Sequence, residues 1–248
     1  MQDWVDFCEI LFELSNEDRM NLIIGLLEER SNVTGLAQKY EITTQEVSRH
    51  LSRLVKSGLV QRDSDGMYIL SRFGNSFLFT LKSQQFLSKN KEYFMSHDLN
   101  HLPVEFTARI GELDNTTIIT DVMAVLQNIQ EMVDSAEEHI FRITDGRFNL
   151  IYPNLQKAAD RGVEFKLIET LEYKVVEDVE QFPRVSPSET RGLTDIPVFL
   201  AVSEKEVGAL AFPENGQFDY RGFISTDQRV IKWCTDLFNY YWNQAIRK

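Results

Sequence analysis

Residues 43–62 read TTQEVSRHLSRLVKSGLVQR. Thr43 followed three residues later by Glu46 is the capping-box signature of a helix start, and Gly58 supplies the left-handed residue that ends the helix. Between them, Val47, Leu51, Leu54 and Val55 form an apolar face at helical spacing. The other face is a single line of Gln45, Ser48, Arg49, Ser52, Arg53 and Lys56, with Thr44 beside it at the helix start. Every member of that line can donate a hydrogen bond and none is acidic. A face turned only to water usually mixes both signs of charge. The line is therefore read as a contact for a polyanion, against the plainer reading of a solvated face.

The flanks fit that reading. Trp4, Phe7, Cys8, Leu11 and Phe12 recur at helical spacing, and Ser15 or Asn16 can cap a second helix striped by Met20, Ile23, Ile24 and Leu27. Val33, Leu36, Ala37 and Tyr40 give a short third helix ahead of the basic one. After it, residues 59–62 and 67–70 flank Asp63-Ser64-Asp65-Gly66, a hairpin with Asp-Gly turn chemistry. Helix, short turn, basic helix and hairpin make a winged helix-turn-helix. A helix fits the major groove, where Arg pairs bidentately with guanine and Gln with adenine. Gln45, Ser48 and Arg49, nearest the helix start, are the candidates for base edges. Arg53 and Lys56, and Arg62 and Tyr68 on the wing, are the candidates for phosphates. His50 falls at the boundary between the faces.

The segment 33–70, which contains LAQKYEITTQEVSRHLSRLVKSGLVQRDSDGMYIL, resembles the winged-helix domain of ArsR-like and MarR-like regulators. The phrase HLxxLxxxGLV, from His50 to Val60, characterises winged helices as a group. The stripe Phe73, Phe77, Leu78 and Leu81 is similar to the helix that follows the wing in those proteins. That helix, over 73–94, is expected to help pair two protomers. ArsR-type metal sensors keep a cysteine-containing pair on the helix before recognition. This one has no cysteine there, and no metal or cofactor is expected.

All six prolines lie beyond residue 102, and residues 96–103 are polar and helix-breaking. The expected organisation is a winged-helix domain with flanking helices over 1–95, a linker over 96–103, and an α/β domain over 104–248. The overall fold class is α+β. In the second part, an amphipathic stretch around Val122 to Val133 precedes a strand over 140–144, a helix over 155–161 and a strand over 163–168, a βαβ unit. A hairpin over 196–212 and a last helix capped by Thr226 or Asp227 follow. Residues 102–245, with Asp195-Ile196-Pro197, Asp219-Tyr220, Gly222-Phe223 and Lys232-Trp233-Cys234, resemble the effector domain of archaeal regulators of the methanogenesis regulatory protein type. That domain is related to the phospholipase D-like effector domain of TrmB-like sugar sensors. Together the two resemblances imply an archaeal one-component transcription regulator.

Catalysis is not expected. A phospholipase D site needs His-x-Lys, and the four histidines are followed two positions on by Ser52, Leu99, Pro103 and Phe141. No phosphate-binding glycine loop or GxSxG elbow occurs. Ligand binding beyond the carboxyl ends of strands is expected instead. The candidates are Thr144, Asp145 and Arg147 at one strand end, Glu169 at the next, and Arg191 and Arg221 in loops. Trp233, Tyr241 and Trp242 read as core or protomer interface.

Composition bounds the rest. With 43% hydrophobic and 26% charged residues the chain is neither disordered nor fibrous. No apolar run is long enough for a membrane span, and a cytoplasmic location is expected. Residues 1–95 carry 11 basic and 13 acidic residues, net −2, and residues 96–248 carry 15 and 25, net −10. The basic island from Val47 to Arg62, with four cations and no acid, is thus set in an acidic molecule. Contact with DNA would depend on placement rather than on a diffuse positive field. The expected function is a dimeric, sequence-specific regulator on a double-stranded DNA operator, tuned by a small-molecule effector. The alternative is a winged-helix adaptor that binds another protein. Cys8 and Cys234, far apart in sequence, leave a metal or redox sensor as a third reading.

Overall fold

The computed structural model describes residues 2–146, 151–171 and 187–248. The chain forms two compact units, Met1–Leu81 and Lys82–Lys248. The division falls earlier than the polar stretch 96–103. His97 and Leu102 in that stretch are 2% and 8% exposed, and Leu102 joins the second unit's core with Tyr93 and Phe106. Its polarity hides a segment that packs.

Unit 1 begins with α1 (Gln2–Leu14), α2 (Glu17–Glu28), α3 (Val33–Tyr40) and α4 (Thr44–Lys56). The wing strands β1 (Val60–Arg62) and β2 (Tyr68–Leu70) follow, paired antiparallel with Val60 opposite Leu70. The unit ends within α5 (Arg72–Lys89). Local chemistry sets the breaks. Asn16 caps α2, Asn32 caps α3, and Thr43 with Glu46 forms a complete capping box on α4. Gly58 has φ +76° where α4 hands over to the wing, a conformation that glycine adopts freely. Gly74 is required for a different reason, since a Cβ there would lie 2.1 Å from the Leu59 carbonyl oxygen. The core collects Leu22, Ile23, Leu36, Val47, Leu51, Leu54 and Leu59, none more than 1% exposed.

Two packing expectations are corrected. The inward face of α4 is Val47, His50, Leu51 and Leu54, while Val55 is 42% exposed. Positions 47, 50, 51 and 54 follow the i, i+3, i+4, i+7 stripe of an α-helix, and 55 lies one step off it. The apolar stripe of α1 forms a helix as expected but is not buried within the unit. Trp4 is 70% exposed and Phe12 61%, with Val5, Phe7 and Leu11 also exposed.

Unit 2 continues with α6 (Lys91–Phe94), α7 (Val104–Ala108), β3 (Thr117–Ile119) and α8 (Val122–Ser135). Next come β4 (His139–Ile143), α9 (Tyr152–Asp160), β5 (Glu164–Thr170) and β6 (Glu189–Leu193). The last elements are β7 (Phe199–Ser203), β8 (Val207–Ala211), β9 (Gly222–Ser225), α10 (Gln228–Gln244) and β10 (Ile246–Arg247). Eight strands form one sheet in the order β10-β6-β5-β4-β7-β8-β9-β3. The pairs β4–β5 and β5–β6 are parallel and the remaining pairs antiparallel. The expected βαβ unit and the β7–β8 hairpin are both present.

The sheet is buried on both faces, which is why β7 and β8 read as unbroken apolar runs rather than alternating ones. One face packs α8 and α9 through Ile129, Val133 and Leu155. The other packs α10 through Val230, Trp233, Leu237 and Phe238, so the aromatic residues of the last helix are core. The fold class is α+β, a winged helix-turn-helix followed by an α/β unit. No helix among the described residues is long and apolar enough to cross a membrane.

Candidate nucleic-acid interface

Helix α4 is fixed from both ends and from beneath. At its start the Thr43 hydroxyl accepts from the Glu46 amide (3.2 Å) and the Glu46 carboxylate accepts from the Thr43 amide (3.0 Å). Hydrogen bonds from the Thr43 side chain and backbone hold the Glu46 carboxyl below its ordinary range, so the one acid in the first turn is engaged in the cap. Beneath, Val47, Leu51 and Leu54 are fully buried. The side chains of Thr44, Gln45, Ser48, Arg49, Ser52, Arg53 and Lys56 are all exposed. Arg49 and Lys56 form no ion pair with any described residue.

Arg53 differs from them. Its guanidinium donates to both oxygens of Glu13 at 2.9 and 2.8 Å and lies over the Phe12 ring at 5.4 Å. Glu13 also sits 3.1 Å from Arg19, whose Nε and Nη2 donate to the Glu13 and Phe12 carbonyls. Arg53 hydrogen bonding is the main influence that holds the Glu13 carboxyl below its ordinary value, with burial pulling the other way. This partner is invisible in the α4 sequence because it comes from α1, 40 positions away. The contact borders a groove of about 910 Å3 lined by Trp4, Cys8, Phe12 and Lys56.

On the wing, Arg62 is exposed but Tyr68 is only 5% exposed, and its ring belongs to the unit 1 core. Tyr68 therefore supports Arg62 instead of reaching outward. Arg62 stacks over its ring at 4.7 Å and donates to its hydroxyl at 2.5 Å. Arg62 and Tyr68 are directly opposed in the antiparallel register, so their side chains share one face of the hairpin, and the longer Arg62 extends over the buried ring into solvent. The wing tip carries Asp63 and Asp65, which would repel a phosphate. Arg30 bridges them at 3.1 and 2.7 Å. Sequence reasoning missed Arg30, and the acid pair in the turn was the signal for a cation nearby.

In unit 2 the candidate ligand residues separate. Thr144 is buried, donating to the Gly146 carbonyl at 2.5 Å and accepting from the Gly146 amide at 3.1 Å. Asp145 is half-buried and accepts from the Tyr220 hydroxyl at 3.2 and 3.3 Å. Burial pushes the Asp145 carboxyl up despite the opposing hydrogen bonds, and the Tyr220 hydroxyl is pushed to about 12 by burial and by Asp145. Tyr220 has φ +62°, a strained conformation for an aromatic residue. Beside Thr144 lies a cavity of about 10 Å3, room for one water, lined also by Arg142 and Tyr152.

Arg147 lies outside the described residues. Glu169 is buried and paired with Lys248 at 3.1 Å. Arg191 lies in β6 rather than a loop; it pairs with Glu189 at 2.9 Å, donates to the Trp242 carbonyl at 2.7 Å and stacks over the Trp242 ring. Arg221 is bound to Asp219 and lies 3.4 Å from Glu214. Burial pushes the Asp219 carboxyl up, but hydrogen bonds from Arg221 and His97 outweigh it and hold it below its usual range. Only Thr144 and Asp145 stand together at a strand end, with Tyr220 across from them. Cys8 is exposed and Cys234 is buried.

The two units define an α+β protein in which a winged helix is followed by an α/β domain. Residues 123–244, all in unit 2, match the family model described as methanogenesis regulatory protein FilR1, middle domain. The resemblance expected for the C-terminal part is thereby borne out. Among curated proteins there is no match. Solved structures similar to the chain include the following three. TrmBL2, an archaeal chromatin protein whose structure shows a novel mode of DNA binding, is 18% identical over 94% of this chain and 94% of its own, with a TM-score of 0.42. Reduced HlyU from Vibrio cholerae N16961 is 23% identical over 34% of this chain and 92% of its own, TM-score 0.29. The phospholipase D family member Nuc from Salmonella typhimurium is 13% identical over 54% of this chain and 97% of its own, TM-score 0.37.

Proposed function

We propose that this chain is a sequence-specific DNA-binding transcription regulator that acts as a dimer and whose DNA affinity responds to a small ligand or partner at unit 2. The observation that carries the reading is the exposed, acid-free line of Gln45, Ser48, Arg49, Ser52 and Lys56 on a helix locked into the core on its other side. A helix of that kind enters the major groove with its start toward the bases. Gln45, Ser48 and Arg49 read base edges, while Thr44, Lys56 and Arg62 meet phosphates. Arg53 joins them where DNA phosphate displaces Glu13.

Pairing is supported by the exposed apolar side chains of α1, beside which Phe7 lies 6.3 Å from Phe77 of α5. A two-fold dimer places two recognition helices on half-sites about 34 Å apart or a multiple of that. The regulatory family matched by residues 123–244 supports a sensing role for unit 2, and the absence of His-x-Lys from the sequence supports a non-catalytic one. Thr144, Asp145 and Arg147 are the ligand contacts that this reading favours.

The test is selection of bound fragments from the source genome with the full chain, followed by affinity measurement across a salt series. DNA binding that weakens steeply as salt rises, and that Arg49→Ala weakens at least about fivefold without changing the melting temperature, supports the regulator. Absence of any bound fragment at low salt overturns it in favour of a protein-binding adaptor.

A further inference from the structure

A second side-chain cluster in unit 2 is used neither by the recognition helix nor by the end of β4. His97, just after α6, has a fully buried side chain stacked on the Tyr93 ring at 3.7 Å. A backbone bridge sets Glu214 against it. The imidazole Nδ1 lies 2.9 Å from the Tyr93 carbonyl oxygen. A carbonyl can only accept, so Nδ1 donates its hydrogen there, and Nε2 faces the carboxylates, where a bound metal ion takes the place of the hydrogen shared with Asp219. There Nε2 meets Asp219 Oδ1 at 3.1 Å. With Glu214, one ligand atom from each of the three residues lies within 4.8 Å of the other two.

We propose that His97, Asp219 and Glu214 form a binding site for a divalent first-row transition-metal ion. One imidazole nitrogen with two carboxylates is a donor set suited to ions such as Zn2+, Co2+ or Mn2+, whereas Mg2+ and Ca2+ favour oxygen alone. Histidines that bind metals almost always donate their other ring N–H to a carbonyl or carboxylate, which fixes the tautomer, and the Tyr93 carbonyl has that place. The spacing also fits: two ligands at roughly 2.1 Å from an ion lie about 3.0 Å apart at an octahedral angle and about 3.4 Å apart at a tetrahedral one, against 3.1 Å between Nε2 and Oδ1.

Asp219 and Glu214 are 25% and 34% exposed, which leaves the ion a way in from solvent. Arg221 now binds both carboxylates. Its side chain is 39% exposed and can swing outward, so it acts as the ion's competitor.

The experiment is titration of the full, chelator-treated chain with Zn2+ and with Co2+ by calorimetry and visible spectroscopy. One equivalent per chain is expected, with a Co2+ spectrum of nitrogen and oxygen ligands and a raised melting temperature. Glu214→Gln, which changes a partly exposed side chain, weakens binding at least about tenfold, and Asp219→Asn does the same. Arg221→Gln, which removes the competing cation, tightens it. The proposal fails if no stoichiometric binding occurs, if binding survives both carboxylate variants unchanged, or if a thiolate-to-cobalt band shows that Cys8 holds the ion instead. None of these readouts involves DNA, so its failure is distinct from failure of the regulator reading.

Discussion

The outward face of α4 and the carboxyl end of β4 are both marked in the sequence by polar residues in a suggestive place, and the structure treats them in opposite ways. On α4 the whole line from Thr44 to Lys56 is exposed, and among the described residues only Arg53 of that line has an ion-pair partner. Around the strand ends, Glu169, Arg191 and Arg221 are each committed to an internal pair. A helix period fixes the direction of every side chain from local spacing alone. A polar residue at a strand end has no such period to fix it: Glu169 finds Lys248 79 positions on, while Arg191 and Arg221 turn back to Glu189 and Asp219.

The sharpest way to break the comparison is to remove what holds the α4 face outward. Leu51 is fully buried under it, and Leu51→Ala should destabilise unit 1 by about 2–5 kcal/mol, through lost burial and the cavity left behind. Denaturant unfolding measures this directly. A loss below about 1 kcal/mol would mean that α4 is not locked and that its exposed line is not a preformed surface. Arg49→Ala asks the complementary question. It should leave stability within about 0.5 kcal/mol and reduce affinity for the selected DNA by about 1–3 kcal/mol, roughly five- to 150-fold, as loss of a bidentate base contact does. Equal losses on specific and random DNA would move Arg49 from base reading to phosphate contact.

A smaller effect tests the cap. Thr43→Ala removes the hydroxyl that satisfies the Glu46 amide and should lower stability by about 1 kcal/mol, with Thr43→Ser recovering most of it. This helix start is written out in the sequence, as are the turn at Gly58, the Asp-Gly hairpin and the βαβ unit. Each depends on residues within a few positions of one another. What could not be read there is long-range. Tyr68 looks like a wing contact until its ring joins the unit 1 core with Arg62 stacked over it. The stretch 96–103 reads as a linker until His97 finds Asp219, 122 positions away. The apolar stripe of α1 reads as core, yet within this unit it faces outward.

Arg53 lies where the two regions behave alike, a recognition-helix cation with an internal partner, and it carries the finest test. Glu13→Gln keeps an oxygen to accept from Arg19 but removes the charge that holds Arg53. DNA affinity should rise a few-fold, and the slope of log affinity against log salt should steepen by about one counterion, roughly 0.9. Acid titration gives the matching stability readout. Hydrogen bonding by Arg53 holds the folded Glu13 carboxyl below the ordinary 4.5, with burial opposing. Because the folded value lies below the unfolded one, this contribution is complete above the unfolded value and fades as pH falls through the folded one. Arg53→Ala should therefore lose less stability between pH 7 and pH 3 than the parent chain. Arg49→Ala, which has no carboxylate partner among the described residues, should follow the parent. If the two variants lose stability alike on acidification, the Glu13–Arg53 pair is absent in solution, and Arg53 returns to the free phosphate-binding set with Lys56.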